Sequence, residues 1–290
     1  MNSPASAAAA GQIVLGGALT VNRLGFGAMR ITGPGIWGKP PDPEGACRLL
    51  RRVVELGVSF IDTADSYGPE VSENLIAQAL HPYPPGLVIA TKGGLVRPCP
   101  DVWKRSAAPA QLRAACESSL RRLRLERIDV YQLHAPDPSV PLEDSVGELV
   151  RLQQAGKIRY IGLSNVLLKE LQAAQRITPI VSVQNHYNLK DRASDRLLEH
   201  CERESIAFLP WAPLDSGRHA LETEATRTLR RIAQRRSATV AQVAIAWLLA
   251  RSKTMLPIPG TASIQHAQEN IAGAALELTP EDLRELNRRG

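Results

Sequence analysis

Short apolar runs alternate along the chain with longer stretches in which apolar residues recur every three or four positions. The first pattern marks buried strands and the second amphipathic helices. Residues 24–29 read as a strand. Asp42 and Pro43 then look like a helix start, an aspartate N-cap followed by proline in the first turn. Ala46, Leu49, Leu50, Val53 and Val54 continue at helical spacing, and Gly57 ends the helix. Further strands are predicted over 58–61, 87–91, 128–133, 158–163, 180–184, 206–211 and 255–258. Helical patterns fill the gaps. They include 72–80, a run through Leu112, Cys116, Leu120 and Leu123, a run through Val146, Leu149 and Leu152 closed by Gly156, and 240–249.

Eight strands, each followed by a helix, predict a closed α/β barrel of the (β/α)₈ or TIM type. A doubly wound sheet is the alternative. It would carry a glycine-rich turn leading directly into a helix, whereas Gly25-Phe26-Gly27-Ala28-Met29-Arg30 has no third glycine and no helix after it. Ahead of the barrel, residues 13–15 and 18–21 flank Gly16-Gly17 and predict a hairpin. No internal repeat or linker divides the chain, so 11–290 is expected as one domain, with 1–10 as a flexible tail of alanine and small polar residues.

Four of the strands end in chemistry. Phe60-Ile61-Asp62 runs on to Tyr67, Ala90-Thr91 ends in Lys92, Tyr131-Gln132-Leu133 ends in His134, and Ile161-Gly162-Leu163 ends in Ser164-Asn165. In a barrel, residues at the C-terminal strand ends meet at one mouth. An acid, a phenol, an amine and an imidazole therefore converge there.

Composition narrows the class. The chain has 290 residues, 44% of them hydrophobic, and no apolar run long enough to span a membrane. The N-terminus lacks the basic start and apolar core of a secretory leader. Cys47, Cys99, Cys116 and Cys201 stand far apart without metal-like spacing. Cys47 and Cys116 sit in helix patterns, which points to buried thiols in a reducing cytoplasm and to no metal site. The net charge of +6 is spread over helix faces such as Arg51-Arg52 and Arg230-Arg231. No basic stripe is interleaved with aromatics, so nucleic acid is not expected as a partner; a polyanionic cofactor is compatible with the balance.

With these residues in hand, the chain resembles the aldo-keto reductases along nearly its whole length. Asp62, Tyr67, Lys92 and His134 stand where that family keeps its catalytic tetrad, and Ile161–Asn165, Val183-Gln184-Asn185 and Leu256-Pro257-Ile258-Pro259-Gly260-Thr261 resemble its cofactor segments. The opening hairpin fits the plug with which family members close the barrel bottom. Loops such as Thr32–Gly38, Ala79–Pro84 and Gln184–Leu189 are similar to a bacterial branch that includes pyridoxal reductases.

The resemblance implies carbonyl reduction with NADPH, NADH being the second nucleotide to consider. Tyr67 is the expected general acid. An ordinary tyrosine has a pKa of about 10, and Lys92 beside it should lower that value, with Asp62 holding the lysine charged. His134 is expected to orient the substrate oxygen; its other reading, as main proton donor, requires a charged imidazole. Ser164, Asn165 and Gln184 are expected at the carboxamide and Trp211 against the nicotinamide ring. Leu214, Ser216 and Gly217 should approach the pyrophosphate, Gly260, Thr261, His266, Glu269 and Asn270 should hold the adenosine half, and Gly27, Met29, Pro213 and Ile258 are further expected cofactor contacts. The chain departs from many relatives here, since Gly260 and His266 stand where permanent cations often grip the 2′-phosphate. Arg30, Trp37 and Trp103 are expected around the carbonyl substrate. The expected assembly is a monomer or weak homo-oligomer without a membrane partner. Two other classes keep the barrel but not this chemistry: a regulatory subunit that senses the cofactor, and a lyase or aldolase forming a Schiff base on Lys92.

Overall fold

The computed structural model describes residues 5–215 and 223–288. In chain order, β1 (Gln12–Leu15) and β2 (Leu19–Asn22) come first, then β3 (Phe26–Gly27), α1 (Pro43–Glu55), β4 (Phe60–Asp62), α2 (Val71–Leu80) and β5 (Val88–Gly93). Next are β6 (Leu95–Cys99), β7 (Val102–Arg105), α3 (Pro109–Leu123), β8 (Ile128–Leu133), α4 (Leu142–Gln154), β9 (Ile158–Ser164) and α5 (Leu168–Gln175). The chain continues with β10 (Ser182–His186), α6 (Asp195–Arg203), β11 (Ala207–Trp211), α7 (Glu224–Arg235), α8 (Val240–Arg251), α9 (Ile264–Ala272) and α10 (Pro280–Asn287).

Seven parallel strands hydrogen-bond in the order β11-β10-β9-β8-β5-β4-β3. The expected eighth strand is not a ladder. Residues 254–259 close the barrel through separate hydrogen bonds instead. Leu256 N donates to Phe208 O (2.9 Å) on one side, and Gly25 N donates to Pro257 O (2.9 Å) on the other. Pro257 and Pro259 have no N–H to offer, so regular pairing cannot continue through them.

The helices form for the reasons their sequences give. Asp42 accepts from Gly45 N at the start of α1, Pro43 occupies the first turn, and Ala46, Cys47, Leu49, Leu50 and Val53 are buried against the sheet. β1 and β2 pair antiparallel with Leu15 opposite Leu19. Leu15, Leu19 and Val21 join Phe60, Val88, Ala90, Val130, Leu209, Leu256 and Ile258 in one apolar cluster, so the hairpin plugs the barrel bottom. Gly16 is required there: its φ is +56°, and a Cβ would lie 2.3 Å from the Tyr160 ring.

Part of the segment expected as a flexible tail, residues 1–10, has regular structure. Ala7–Ala10 form a 3₁₀ turn capped by Ser6, and Ala7 is buried with its N–H on Leu56 O (2.8 Å). A second departure is the β6–β7 hairpin, which fills what reads in the sequence as a loop after Lys92. All four cysteines are unpaired, three buried and Cys99 exposed. Among the described residues, no helix is long and apolar enough to cross a membrane.

Candidate active site

Strand register brings the four chemical groups together. Asp62 ends β4 opposite Ala90 of β5, and Lys92 lies two residues further along β5, opposite Gln132 of β8. His134 follows β8 directly, its N–H on Gly93 O (2.8 Å). Tyr67 sits in the turn between β4 and α2, held by Tyr67 N donating to Ala64 O and Ser72 N donating to Tyr67 O.

Lys92 is completely buried and makes three hydrogen bonds. Its Nζ donates to Asp62 Oδ2 (2.7 Å), to Thr63 O (2.8 Å) and to the Tyr67 hydroxyl (3.2 Å). All three ammonium protons are thus satisfied, as a buried cation demands. Asp62 is completed by two amides that the sequence reading left out or used elsewhere. Gln184 Nε2 donates to its Oδ1 (2.8 Å), and so does Gln132 Nε2 (3.2 Å). Gln132 was legible as one of two polar residues, with Asp129, in an otherwise apolar strand, and the one nearer its C-terminal end.

Electrostatics correct one expectation. Burial disfavours the Lys92 charge, but Asp62 and then Tyr67 outweigh it and hold the lysine pKa above its ordinary 10.5. Tyr67 moves up rather than down from 10.0: desolvation outweighs the attraction of Lys92, with Asp62 adding to the rise. The phenol is therefore a fully protonated acid near neutrality, and Lys92 limits the rise. His134 falls well below its ordinary 6.5, first through burial and then through the Lys92 charge. A neutral imidazole favours the orienting role over the reading that needs a charged His134. Ser66 Oγ lies 3.3 Å from its Nδ1. The charged, fully bonded Lys92 likewise lacks the neutral amine that a Schiff base requires.

These groups open into a cleft of about 910 Å³. Asp62, Tyr67 and His134 line one end, with Arg30, Leu95 and Trp103. Gly27, Met29, Ser164, Asn165, Gln184, Trp211, Pro213, Leu214 and Ile258 line its middle, and Gly260, Thr261, His266, Glu269 and Asn270 also face it. Ser216 and Gly217 lie outside the described residues. Leu95, Ala212, Ala241, Pro259 and Ala262 face the cleft as well; as small or apolar residues they carry no chemical signal in the sequence. Trp37, expected at the substrate, is not among the residues that line the cleft, and its backbone pairs with Gly68.

Trp211 keeps an exposed indole (38%) on the cleft, an uncommon state for so large an apolar group. Its Nε1 donates to Asn165 Oδ1 (3.0 Å), and Asn165 Nδ2 donates to His134 O (3.0 Å). Asn165 adopts φ +56° to make both contacts. Gly27 and Gly260 floor the cleft where two backbones nearly touch, since a Cβ on Gly260 would lie 2.4 Å from Gly27 O. The Ser164 hydroxyl, the Gln184 amide and the open indole face fit a planar ring bearing a carboxamide. At the other end, Thr261, His266 and Asn270 are the polar side chains available to a phosphate; Arg30 is the only lysine or arginine among the described residues that line the cleft.

Comparison with known proteins agrees with this arrangement. The model of the Aldo/keto reductase family matches residues 23–289. An uncharacterized oxidoreductase of Schizosaccharomyces pombe is 46% identical over 289 residues, covering 100% of this chain and 93% of the relative. Pyridoxine 4-dehydrogenase of Escherichia coli K12 is 41% identical over 278 residues, covering 93% of this chain and 96% of the relative. Among solved structures, an aldo-keto reductase of Klebsiella pneumoniae in complex with NADPH superposes with a TM-score of 0.80 at 28% identity, over 95% of this chain and 93% of the other. A thermostable aldo-keto reductase bound to the inhibitor epalrestat gives 0.84 at 30% identity, over 95% and 98%. With the barrel, the buried Lys92–Asp62 pair and these matches together, the chain belongs to the aldo/keto reductase family.

Proposed function

We propose that the protein reduces aldehyde and ketone carbonyls to alcohols with NADPH, and that its substrates include aromatic aldehydes of the pyridoxal kind. The observation that carries this reading is the triple contact of Lys92 Nζ with Asp62, Thr63 O and the Tyr67 hydroxyl. The bound nucleotide supplies a hydride to the carbonyl carbon. Tyr67 gives its phenolic proton to the carbonyl oxygen, and Lys92 stabilises the phenolate that remains. Neutral His134 donates a hydrogen bond to the same oxygen and orients it as negative charge grows. Ser164 and Gln184 hold the carboxamide, and Trp211 packs on the ring, a contact worth about 1 kcal/mol.

Two comparisons support the finer parts of the reading. The Klebsiella neighbour was crystallised with NADPH, and the E. coli relative is a pyridoxine 4-dehydrogenase. Thr261, His266 and Asn270 are the groups we assign to the adenosine phosphate. Because none of the described residues beside them on the cleft is a lysine or arginine, the preference for NADPH over NADH is expected to be modest. Unpaired thiols suit a reducing cytoplasm.

The test is a substrate screen with purified protein, following loss of reduced nicotinamide with both nucleotides. Pyridoxal, methylglyoxal, aromatic aldehydes and sugars form the panel. Consumption of NADPH matched by alcohol formation is expected. Tight nucleotide binding with no oxidation by any carbonyl would overturn the reading in favour of a cofactor-sensing subunit.

A further inference from the structure

The β6–β7 hairpin carries a buried cation, Arg97, that forms no direct ion pair among the described residues, although the nearby Asp101 carboxylate favours its charge. Arg97 is 7% exposed on a strand whose neighbours Val96 and Pro98 face solvent at least in part. Among the described residues, no ion pair involves it, and its Nε has no hydrogen-bond partner. Burying a guanidinium this way is unfavourable unless the geometry compensates. Here Nη1 donates to Ile36 O (3.0 Å) and Nη2 to Gly35 O (3.1 Å), tying the hairpin to the loop before α1. The guanidinium also lies 3.9 Å from the Trp103 ring centre and 5.6 Å from that of Trp37. Contacts of this kind are attractive and offset part of the cost of burial.

Trp103 is the part of this assembly that faces the reaction. It lines the cleft, meets Tyr67 and His134 edge-on with ring centres 6.4 Å away in both cases, and remains 38% exposed. Its own strand does little to hold it. All four residues of β7 are exposed, the pairing with β6 slips between Val96 and Cys99, and the two strands form a separate sheet. A lone two-stranded hairpin is marginally stable. The Arg97 guanidinium is packed on the indole that stands beside the Tyr67 phenol.

We propose that Arg97 is a positioning residue for substrate selection: by clamping Trp103 beside Tyr67 and His134, it makes the cleft favour planar, ring-bearing aldehydes over short aliphatic ones. This rests on the carbonyl-reductase reading and adds the wall that recognises the ring. A lysine cannot replace the clamp, because an ammonium lacks the flat face and the fork that reaches two carbonyls.

The experiment measures kcat and KM with NADPH for 4-nitrobenzaldehyde and for propanal, in the wild type, Arg97→Met, Arg97→Lys, Trp103→Ala and the Arg97→Met/Trp103→Ala double variant. The aromatic-to-aliphatic ratio of kcat/KM should fall about tenfold in each single variant, mainly through KM for the aromatic aldehyde, as loss of one aromatic contact implies. The double variant should lose little more, because both changes remove the same wall. Trp103→Ala keeps both backbone bonds of Arg97 and carries the test if Arg97→Met fails to fold. An unchanged ratio in folded variants, or equal losses for both aldehydes, would overturn the inference while leaving the reductase reading intact. A wild type that reduces neither aldehyde would overturn that reading, and this inference with it.

Discussion

The two ends of the barrel are built from opposite materials. At the bottom, Leu15, Leu19 and Val21 of the plug pack on Phe60, Val130 and Leu209 with no charge among them. At the top, Asp62 and Gln132 lie two residues further along β4 and β8 than Phe60 and Val130, and with Lys92 of β5 and Gln184 of β10 they bury an ion pair and its amide supports. Apolar packing tolerates inexact geometry, whereas a buried ion pair stabilises only when every donor and acceptor is matched. The plug thus contributes stability from the end where no chemistry occurs, and the mouth places its charges for reaction.

That division can be broken experimentally. The largest effect should come from Tyr67→Phe, which removes the acid and keeps the ring; kcat should fall about 10²–10⁴-fold while nucleotide affinity and melting temperature change little. Steady-state kinetics beside fluorescence titration with NADPH checks this. Lys92→Met should damage both properties, because it leaves Asp62 charged and unpaired in the interior; a loss of about 3–5 kcal/mol in urea unfolding is expected along with lost turnover. Leu15→Ala tests the other end. It should cost about 2–5 kcal/mol of stability yet leave KM and kcat of the folded enzyme near wild type.

A smaller effect sharpens the comparison behind the mouth. Asp65 has an Oδ1 that is buried without a partner. Burial, then repulsion from Glu73, pushes its pKa up from 3.8 to about 8. The folded protein therefore holds a proton that the unfolded chain releases between those values. Stability contributed by this site falls as pH rises through that window. Asp65→Asn should flatten the decline in urea midpoint between about pH 4 and pH 8; an unchanged slope would mean that other groups cause it.

The sequence was most legible where burial and chemistry coincide. Asp62, Lys92 and His134 each interrupt an apolar strand at its C-terminal end, so one pattern gave both the strand and the functional residue. The expected limits of β8 match the observed strand, because Ile128 to Leu133 is almost wholly buried. Residues 255–258 take the eighth strand's place, with Met255 bridged in parallel to Phe208, but the flanking and interior prolines keep them from forming a full ladder. β6 and β7 were illegible because Pro98 and Pro100 read as loop and the hairpin's side chains are mostly exposed. The direction of the Tyr67 shift was also beyond the sequence. It depends on how completely the phenol is desolvated, which composition and spacing do not encode.

The most direct test of the account is the pH dependence of kcat for aldehyde reduction. A protonated, buried Tyr67 and a neutral His134 predict a plateau through neutrality, with activity declining only above the ordinary tyrosine pKa of 10.0. A limb near the ordinary histidine value of 6.5, present in the wild type and lost in His134→Gln, would assign the proton to the imidazole and contradict it.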